Sequence, residues 1–299
     1  MKYKITVVGT GNGGHAIAGH FAMLGHQVSL FGRNASVMKE ISANGGIELL
    51  EAIEGFGQLH SISDNYEEAL RDSEIIMVAT TANAHGEIAK NLAPYLKEGQ
   101  IIVLNPGRTG GAIEFRHELK KQQVSQRVYV AEAQSLIYAC RIVEPGRVRI
   151  IGVKSKVLLS ALPHTDTPHV IDRLNEIYPC FIPVENVLDT SFENIGAIFH
   201  PSIVLFNAAT IERGQGFYFY NDMTKRISEF LEKLDAERMN LGTAYGIDLI
   251  TASDWISYAY PNIPGDDFCE RMRNNPAYYM IPAPKTLDSR LLFEDIPTG

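Results

Sequence analysis

Cysteine is scarce in this sequence. The 299 residues include three cysteines, Cys140, Cys180 and Cys269. They lie far apart and show neither CxxC spacing nor a neighbouring cluster of histidines. This pattern indicates neither a disulfide framework nor a zinc site. We therefore expect a protein of a reducing compartment with no bound metal.

An excess of basic residues and a long apolar run are also absent. Lysine and arginine total 27 against 35 aspartates and glutamates, so the formal net charge is −8, and no long basic run interrupts that balance. Nucleic acid is therefore not expected as a partner. No stretch approaches the ~18 uncharged apolar residues of a membrane helix, and no signal-peptide pattern is visible. We expect a cytoplasmic protein without a membrane segment.

The sequence does have enough apolar residues for a large core, since 45% of the chain is hydrophobic. In the N-terminal half, short apolar runs alternate with helical patterns, which predicts an α/β fold with a doubly wound, Rossmann-type parallel sheet. The predicted strands are Tyr3–Val8, Gln27–Phe31, Glu74–Ala79, Gln100–Leu104 and Arg127–Ala131. The predicted helices are Gly13–Leu24, Ala35–Ala43, Tyr66–Arg71, Ala84–Leu96 and Gly111–Gln122.

The pattern changes after residue 135. Short alternating runs around a Pro-Gly turn at Ser135–Pro163 predict an antiparallel extension of the sheet. Helical periodicity then dominates from residue 187, so we expect a dinucleotide-binding domain at 1–186 and an all-helical substrate domain at 187–299. The C-terminal helices are predicted at Ser191–Glu212, Asn221–Tyr245, Ala252–Tyr260 and Asp266–Asn274. Charged residues of the segment LEKLDAER (231–238) are expected to form a solvated helix face.

A glycine loop separates the first predicted strand from the first predicted helix. Residues 9–16 read GTGNGGHA, in which Gly9, Gly11 and Gly14 satisfy the GxGxxG pattern. Gly9 allows a tight turn, Gly11 lets the backbone approach a pyrophosphate, and Gly14 lets the helix pack closely on the strand. The helix N-terminus attracts the phosphate charge. We predict a dinucleotide site that includes Asn12 and Gly13, with a glycine turn that binds no ligand as the alternative.

The residues after the second predicted strand bear on the choice of dinucleotide. NAD sites usually carry an acidic residue there, which binds the ribose hydroxyls. This chain reads Phe31-Gly32-Arg33-Asn34 and has no carboxylate at that place. Arg33, with Asn34 beside it, is predicted to bind a 2′-phosphate through its planar guanidinium. We expect NADP to be preferred, with NAD as the alternative cofactor and a solvated surface arginine as the alternative structure.

Two later strand ends carry polar residues on the same expected edge of the sheet. Asn105 and Gly107 open the stretch NPGRTGG after the fourth strand, and Thr80 follows the third. Ligands of doubly wound sheets bind beyond the carboxyl ends of the strands, so we predict cofactor contacts for these three residues. An ordinary turn capped by Thr109 is the alternative. His85 is equally compatible with helix entry and with a ligand contact.

The first predicted helix of the C-terminal half contains His200 directly before Pro201, a residue that interrupts helical hydrogen bonding. With the glycine loop, this segment makes the chain similar to the octopine/nopaline (opine) dehydrogenases. The similar segments are GTGNGGHA at 9–16, LNPGRTGGAIEFR at 104–116, ENVLDTSFENIGAIFHP at 185–201, LDAER at 234–238, NPAY at 275–278 and RLLFEDIPTG at 290–299. The IFHP and FEDIPTG phrases are the most specific of these.

The resemblance implies a Rossmann domain followed by a helical domain like that of 6-phosphogluconate dehydrogenase. It implies a reaction in which an α-keto acid and the amino group of an amino acid condense to an imine, which NAD(P)H reduces to a secondary amine. It places the catalytic histidine at His200, its partner carboxylate at Asp295 and a substrate-carboxylate contact at Arg290, with Asn194 also on the substrate. A surface ion pair with Glu294 is the alternative for Arg290.

The sequence departs from the family pattern in two places. Gly32 and Arg33 stand where NAD-preferring members have an acidic residue, and family chains usually continue for several dozen helical residues past the point where this one ends. A site completed by that segment would be open. Two other functions stay open: NADP-dependent reduction of a keto acid or keto-phosphate to an alcohol, as in ketopantoate or glycerol-3-phosphate dehydrogenases, and a non-catalytic NADP(H)-binding sensor. A homodimer formed through the helical half also stays open.

Overall fold

The computed structural model describes residues 2–260 and 262–298. The chain divides after Thr190 into two compact units, the first with all the assigned strands and the second helical. The strands are Lys4–Val8 (β1), Gln27–Phe31 (β2), Gly46–Glu51 (β3), Gly55–Gln58 (β4), Ser61–Ser63 (β5), Ile75–Val78 (β6), Ile101–Leu104 (β7), Tyr129–Ala133 (β8), Tyr138–Glu144 (β9), Arg147–Val153 (β10), Val157–Leu162 (β11) and Phe181–Pro183 (β12).

Helices flank these strands in the first unit and make up the second. Those of the first unit are Asn12–Met23 (α1), Ala35–Asn44 (α2), Tyr66–Leu70 (α3), His85–Leu92 (α4), Gly111–Lys121 (α5) and Thr167–Ile177 (α6). Val187–Phe192 (α7) spans the boundary. The second unit contains Ile195–Phe206 (α8), Ala208–Glu212 (α9), Lys225–Ala244 (α10), Ala252–Ala259 (α11), Phe268–Asn274 (α12), Arg290–Phe293 (α13) and Asp295–Thr298 (α14).

The main sheet has eight strands in the order β12-β11-β8-β7-β6-β1-β2-β5. Its six strands from β8 to β5 are parallel, while β11 runs antiparallel to β8 and pairs with β12. Alternate residues of β1 enter two separate cores, Ile5 and Val7 on one face and Val8 on the other. Burial of both faces explains why these strands read as continuous apolar runs. The predicted Rossmann-type sheet is confirmed, with boundaries that differ by a few residues.

The antiparallel extension is only partly as predicted. Strand β11 does extend the main sheet, but β9 and β10 belong to a separate four-stranded sheet in the order β4-β3-β10-β9. Strand β3, which the sequence analysis missed, pairs in parallel with β10. Ile47 and Val148 are buried there, and Arg147 forms a 2.5 Å ion pair with Glu48 across the two strands. The hairpin is therefore held by a partner some 100 residues earlier in the chain.

The expected solvated face on α10 is only partly present: Glu232, Lys233 and Glu237 are exposed, but two charged residues of the same segment are buried. Asp235 and Arg238 are 5% and 8% exposed, and their side chains bond at 2.8 Å. The Arg238 guanidinium also donates to the carbonyl oxygens of Phe192 (3.0 Å) and Ile250 (2.6 Å). Buried charges persist where they are paired and hydrogen-bonded. Arg238 therefore ties α10 to two other segments of this unit.

Within residues 2–260 and 262–298, no helix is both long and apolar enough to cross a membrane.

Candidate active site

The glycine loop between β1 and α1 has the geometry of a phosphate cradle. Gly9 has φ +120°, and its N–H donates to the Phe31 carbonyl at 2.9 Å. A Cβ on Gly14 would overlap the Gly9 carbonyl oxygen, whereas a Cβ on Gly11 would meet no atom within 4 Å. Gly11 caps α1 without a side-chain hydrogen bond. The first turn of α1 is thus packed tightly on β1 while its entry at Gly11 is open.

Asn12 and Gly13, predicted with this loop, contact other parts of the first unit. The Asn12 side-chain oxygen accepts a hydrogen bond from the Ile142 N–H at 2.8 Å. A Cβ on Gly13 would come within 2.9 Å of the Leu136 side chain. Both residues therefore attach α1 to the region of β9.

The end of β2 presents Arg33 and Asn34 in different roles. Arg33 forms a 3.1 Å ion pair with Glu87, and the two side chains are 69% and 58% exposed. Asn34 caps α2, accepting hydrogen bonds from the N–H groups of Ser36 (3.1 Å) and Val37 (3.3 Å). An exposed ion pair is worth at most about 1 kcal/mol, so Arg33 can exchange Glu87 for a stronger anion.

Buried polar groups without partners cluster after β6 and β7. Among the described residues, no hydrogen-bond partner lies near the Thr80 hydroxyl, either amide atom of Asn105 or either ring nitrogen of His85. Asn105 is fully buried, and its N–H donates to the Val78 carbonyl at 2.9 Å. Buried polar side chains are nearly always bonded, so these atoms match the needs of a polar ligand.

His85 is buried close to the start of α5. A Cβ on Gly111 would come within 3.1 Å of its ring. Burial, and secondarily the charge of Arg108, lowers the pKa of His85 to about 4. His85 is therefore neutral at pH 7.

Glu132, at the carboxyl end of β8, is a fully buried acid that the sequence analysis missed. Its carboxylate accepts hydrogen bonds from the Ala112 N–H at 2.7 Å and the Thr190 hydroxyl at 2.5 Å. A Cβ on Gly107 would come within 3 Å of the same side chain. Gly107 is thus required for packing on Glu132, and the carboxylate anchors the first turn of α5.

In the second unit, the structure brings His200 and Asp295 together from positions 95 residues apart. The imidazole Nδ1 donates to the Asp295 carboxylate at 2.6 Å, with 15% of the His200 side chain exposed and none of the Asp295 side chain. His200 lies in α8, and both α13 and α14 pack on that helix. The Tyr220 hydroxyl lies 3.1 Å from Nε2. Tyr220 is 20 residues from His200 in the chain, and no sequence pattern indicated it.

The two predicted substrate residues have different surroundings. Arg290 forms a 3.1 Å ion pair with Glu294, four residues further along the chain. The Arg290 side chain is 50% exposed, while Glu294 is buried. Asn194 is buried at the start of α8, and its N–H donates to the Ser191 carbonyl at 3.2 Å.

Comparisons with known proteins agree with these two halves. Residues 183–299 match the family model of the NAD/NADP octopine/nopaline dehydrogenase alpha-helical domain. Residues 4–130 match that of the NAD-dependent glycerol-3-phosphate dehydrogenase N-terminus. An opine dehydrogenase of Arthrobacter sp. (strain 1C) is 35% identical over 296 residues, which cover 98% of this chain and 82% of that protein.

Solved structures share the fold at lower identity. Octopine dehydrogenase in complex with NADH and agmatine superposes with a TM-score of 0.80 at 22% identity, covering all of this chain and 82% of that one. Yersinopine dehydrogenase with bound NADP⁺ superposes with a TM-score of 0.71 at 13% identity, covering 93% of this chain and 76% of that one. With a relative 35% identical over nearly the whole length, the chain belongs to the opine dehydrogenase family.

Proposed function

We propose that this protein is an NAD(P)H-dependent opine-type dehydrogenase. It joins an α-keto acid to the amino group of an amino acid through an imine, and reduction of the imine gives a secondary amine. The observation that carries the proposal is the buried 2.6 Å hydrogen bond between His200 and Asp295, a proton donor with an oriented ring. Membership of the family supplies the reaction class.

The first unit fits a nicotinamide dinucleotide. The Gly9–Gly14 loop and the N-terminus of α1 would hold the pyrophosphate. The unpaired polar atoms of Thr80 and Asn105, beyond β6 and β7, would bind the part of the cofactor that lies over the sheet edge. When bound, the reduced nicotinamide supplies the hydride.

His200 has its role because the reaction consumes a proton. A keto acid, an alkylammonium ion, a hydride and one proton give the secondary ammonium product and one water molecule. The proton leaves with the former carbonyl oxygen, so a general acid near that atom assists the reaction. Asp295 accepts the hydrogen bond from Nδ1–H, which orients the ring and stabilises the imidazolium. The histidine thus donates the proton while the aspartate positions it, as in other His–Asp pairs.

Substrate binding is assigned to Arg290 and Asn194. A carboxylate from the substrate would pair with the guanidinium of Arg290, which is half exposed. The pair with Glu294 competes for Arg290 and also holds its side chain in one place. Asn194 lies six residues before His200, at the first turn of the same helix.

We also propose that NADPH is preferred over NADH. The support is Arg33 at the end of β2, which is exposed and forms a surface ion pair with Glu87, together with the absence of an acidic residue in the sequence at 31–36. Charge-assisted bonds to a phosphate are stronger than an exposed ion pair, so a 2′-phosphate would displace Glu87.

A cytoplasmic location and a homodimer are further parts of the proposal. All three cysteines are free and buried, as suits a reducing compartment. Leu205, Phe206 and Phe230 are exposed on the helical unit and are the side chains through which two copies would associate. Light scattering of the purified protein tests the dimer, and a monomeric mass at micromolar concentration would contradict it.

The deciding experiment crosses a set of α-keto acids with a set of amino acids and follows NADPH absorbance. Oxidation that requires both a keto acid and an amine supports the proposal. Oxidation that needs only the keto acid would instead indicate a ketone reductase, and NADPH binding without oxidation would indicate a sensor. His200→Ala should lower kcat by ~10²-fold or more with NADPH binding nearly unchanged. His117→Ala, at an exposed histidine, is the matched control.

A further inference from the structure

The hydrogen bond at the Nε2 atom of His200 leads to a second hydroxyl-bearing side chain. Asp295 holds Nδ1 at 2.6 Å, and the Tyr220 hydroxyl lies 3.1 Å from Nε2. Each imidazole nitrogen forms its hydrogen bond in the plane of the ring. A proton that moves out of His200 along the Nε2 bond therefore reaches the oxygen of Tyr220.

The surroundings of Tyr220 hold its ring in one place. It lies in a turn in which the Tyr218 N–H donates to the Asp222 carboxylate at 2.7 Å. The neighbouring Phe219 N–H donates to the Ile281 carbonyl at 2.8 Å, which ties the turn to a distant segment. The ring stacks on Tyr278 with centroids 4.2 Å apart and planes inclined by 21°. Tyr220 is 7% exposed, so its hydroxyl is held at Nε2 by the packing of the ring.

We propose that Tyr220 relays the proton between His200 and the substrate, a step that rests on the proposed function. A phenol both donates and accepts hydrogen bonds. As the substrate's carbon–oxygen bond breaks, the Tyr220 O–H proton passes to the departing oxygen and forms water. The Nε2 proton passes to the Tyr220 oxygen in the same step, so the phenol is restored and His200 ends neutral. Asp295 stays ionised throughout.

The relay is tested with Tyr220→Phe, which removes one oxygen and keeps the stacked ring. Tyr279→Phe, at an exposed tyrosine, is the matched control. Under single-turnover conditions with saturating substrates, we expect Tyr220→Phe to slow NADPH oxidation by roughly 30-fold or more and to leave NADPH affinity within about twofold. Tyr279→Phe should change neither value.

Mixtures of H₂O and D₂O separate a relay from a structural role. Two protons in flight predict a curved dependence of the rate on deuterium fraction in the unmutated protein and a linear one in Tyr220→Phe. A rate for Tyr220→Phe within twofold of the unmutated protein, or the same curvature in both proteins, would overturn the relay alone. If none of the tested combinations of a keto acid and an amino acid leads the unmutated protein to oxidise NADPH, the proposed function is overturned, and the relay with it.

A measurement without turnover checks the hydrogen bond itself. In ¹⁵N spectra of the histidine side chains, His200→Ala assigns the two ring signals of His200. Tyr220→Phe should shift the Nε2 signal and leave the Nδ1 signal, held by Asp295, nearly in place. Tyr279→Phe should shift neither. An Nε2 signal unaffected by Tyr220→Phe would overturn the proposal.

Discussion

Asp295→Asn tests the role of the His–Asp pair with a small change in shape. Asparagine keeps the volume of the side chain and an oxygen that can accept the Nδ1–H, but it removes the negative charge. The carboxylate is fully buried and lies 2.6 Å from Nδ1, so solvent screens the interaction little. The variant therefore isolates the charge from the packing of α14 on α8.

The expected loss follows from the strength of that hydrogen bond. Hydrogen bonds to charged groups contribute about 1.5–3 kcal/mol, and each 1.36 kcal/mol in activation free energy is tenfold in rate. Because the charged imidazolium is the form of His200 that donates the proton, losing the stabilisation that Asp295 gives it should lower kcat by roughly 10- to 150-fold. The loss should be smaller than that of His200→Ala, which removes the donor itself.

The assay measures kcat from NADPH absorbance at saturating amine and keto acid, with NADPH affinity measured separately by fluorescence. Asp288→Asn removes an exposed carboxylate a few residues earlier and is the matched control. It should leave both values unchanged. A kcat for Asp295→Asn within twofold of the unmutated protein would refute the reasoning, and so would a loss of NADPH affinity equal to the loss of rate.

Three further predictions concern stability and cofactor choice. Arg238→Met leaves Asp235 buried without its cation and should lower the free energy of unfolding in urea by ~3–5 kcal/mol, whereas Lys233→Met on the exposed side of the same helix should change it by less than about 0.5 kcal/mol. Arg33→Ala should remove ~1.5–3 kcal/mol of NADPH-over-NADH preference in binding titrations, and equal dissociation constants in the unmutated protein would contradict this. Burial lowers the pKa of His85 to about 4 in the folded protein. As the pH falls below about 6.5, the unfolded chain therefore binds a proton at His85 before the folded chain does. This difference in proton binding lowers the free energy of unfolding by about 2 kcal/mol between pH 8 and pH 5. His85→Leu should remove that decrease when the free energy of unfolding is measured in urea at both pH values. The same decrease in His85→Leu and in the unmutated protein would refute the prediction.

The sequence by itself determined those features that depend on residues close together in the chain, namely the glycine loop, the strands of the parallel sheet and the start of α2. The GxGxxG pattern predicted a strand-to-helix turn. The structure shows why the pattern requires glycine at position 14, since a Cβ there would overlap the Gly9 carbonyl oxygen. The apolar runs at β1, β2, β6 and β7 predicted a buried parallel sheet because both of its faces are covered. The helix predicted at Ala35–Ala43 begins where the side chain of Asn34 caps it, which is a contact within a few residues of the chain. His200 and Asp295 were identified only through the resemblance to a family, because no local pattern links residues 95 positions apart.

Tertiary structure decided whatever depends on distant partners. Strand β10 pairs with β3 because their apolar faces are buried together, and that pairing takes the β9–β10 hairpin out of the main sheet. Asp235 and Arg238 were expected on a solvated helix face, yet both are buried and the Arg238 guanidinium donates to the carbonyls of Phe192 and Ile250. The contact between Tyr220 and His200 could not be predicted from the sequence, because it also depends on distant segments of the chain. The Tyr220 hydroxyl meets the His200 ring because a turn, a stacked ring and a backbone bond to Ile281 converge there, and contacts between segments so far apart in the chain leave no trace in local periodicity.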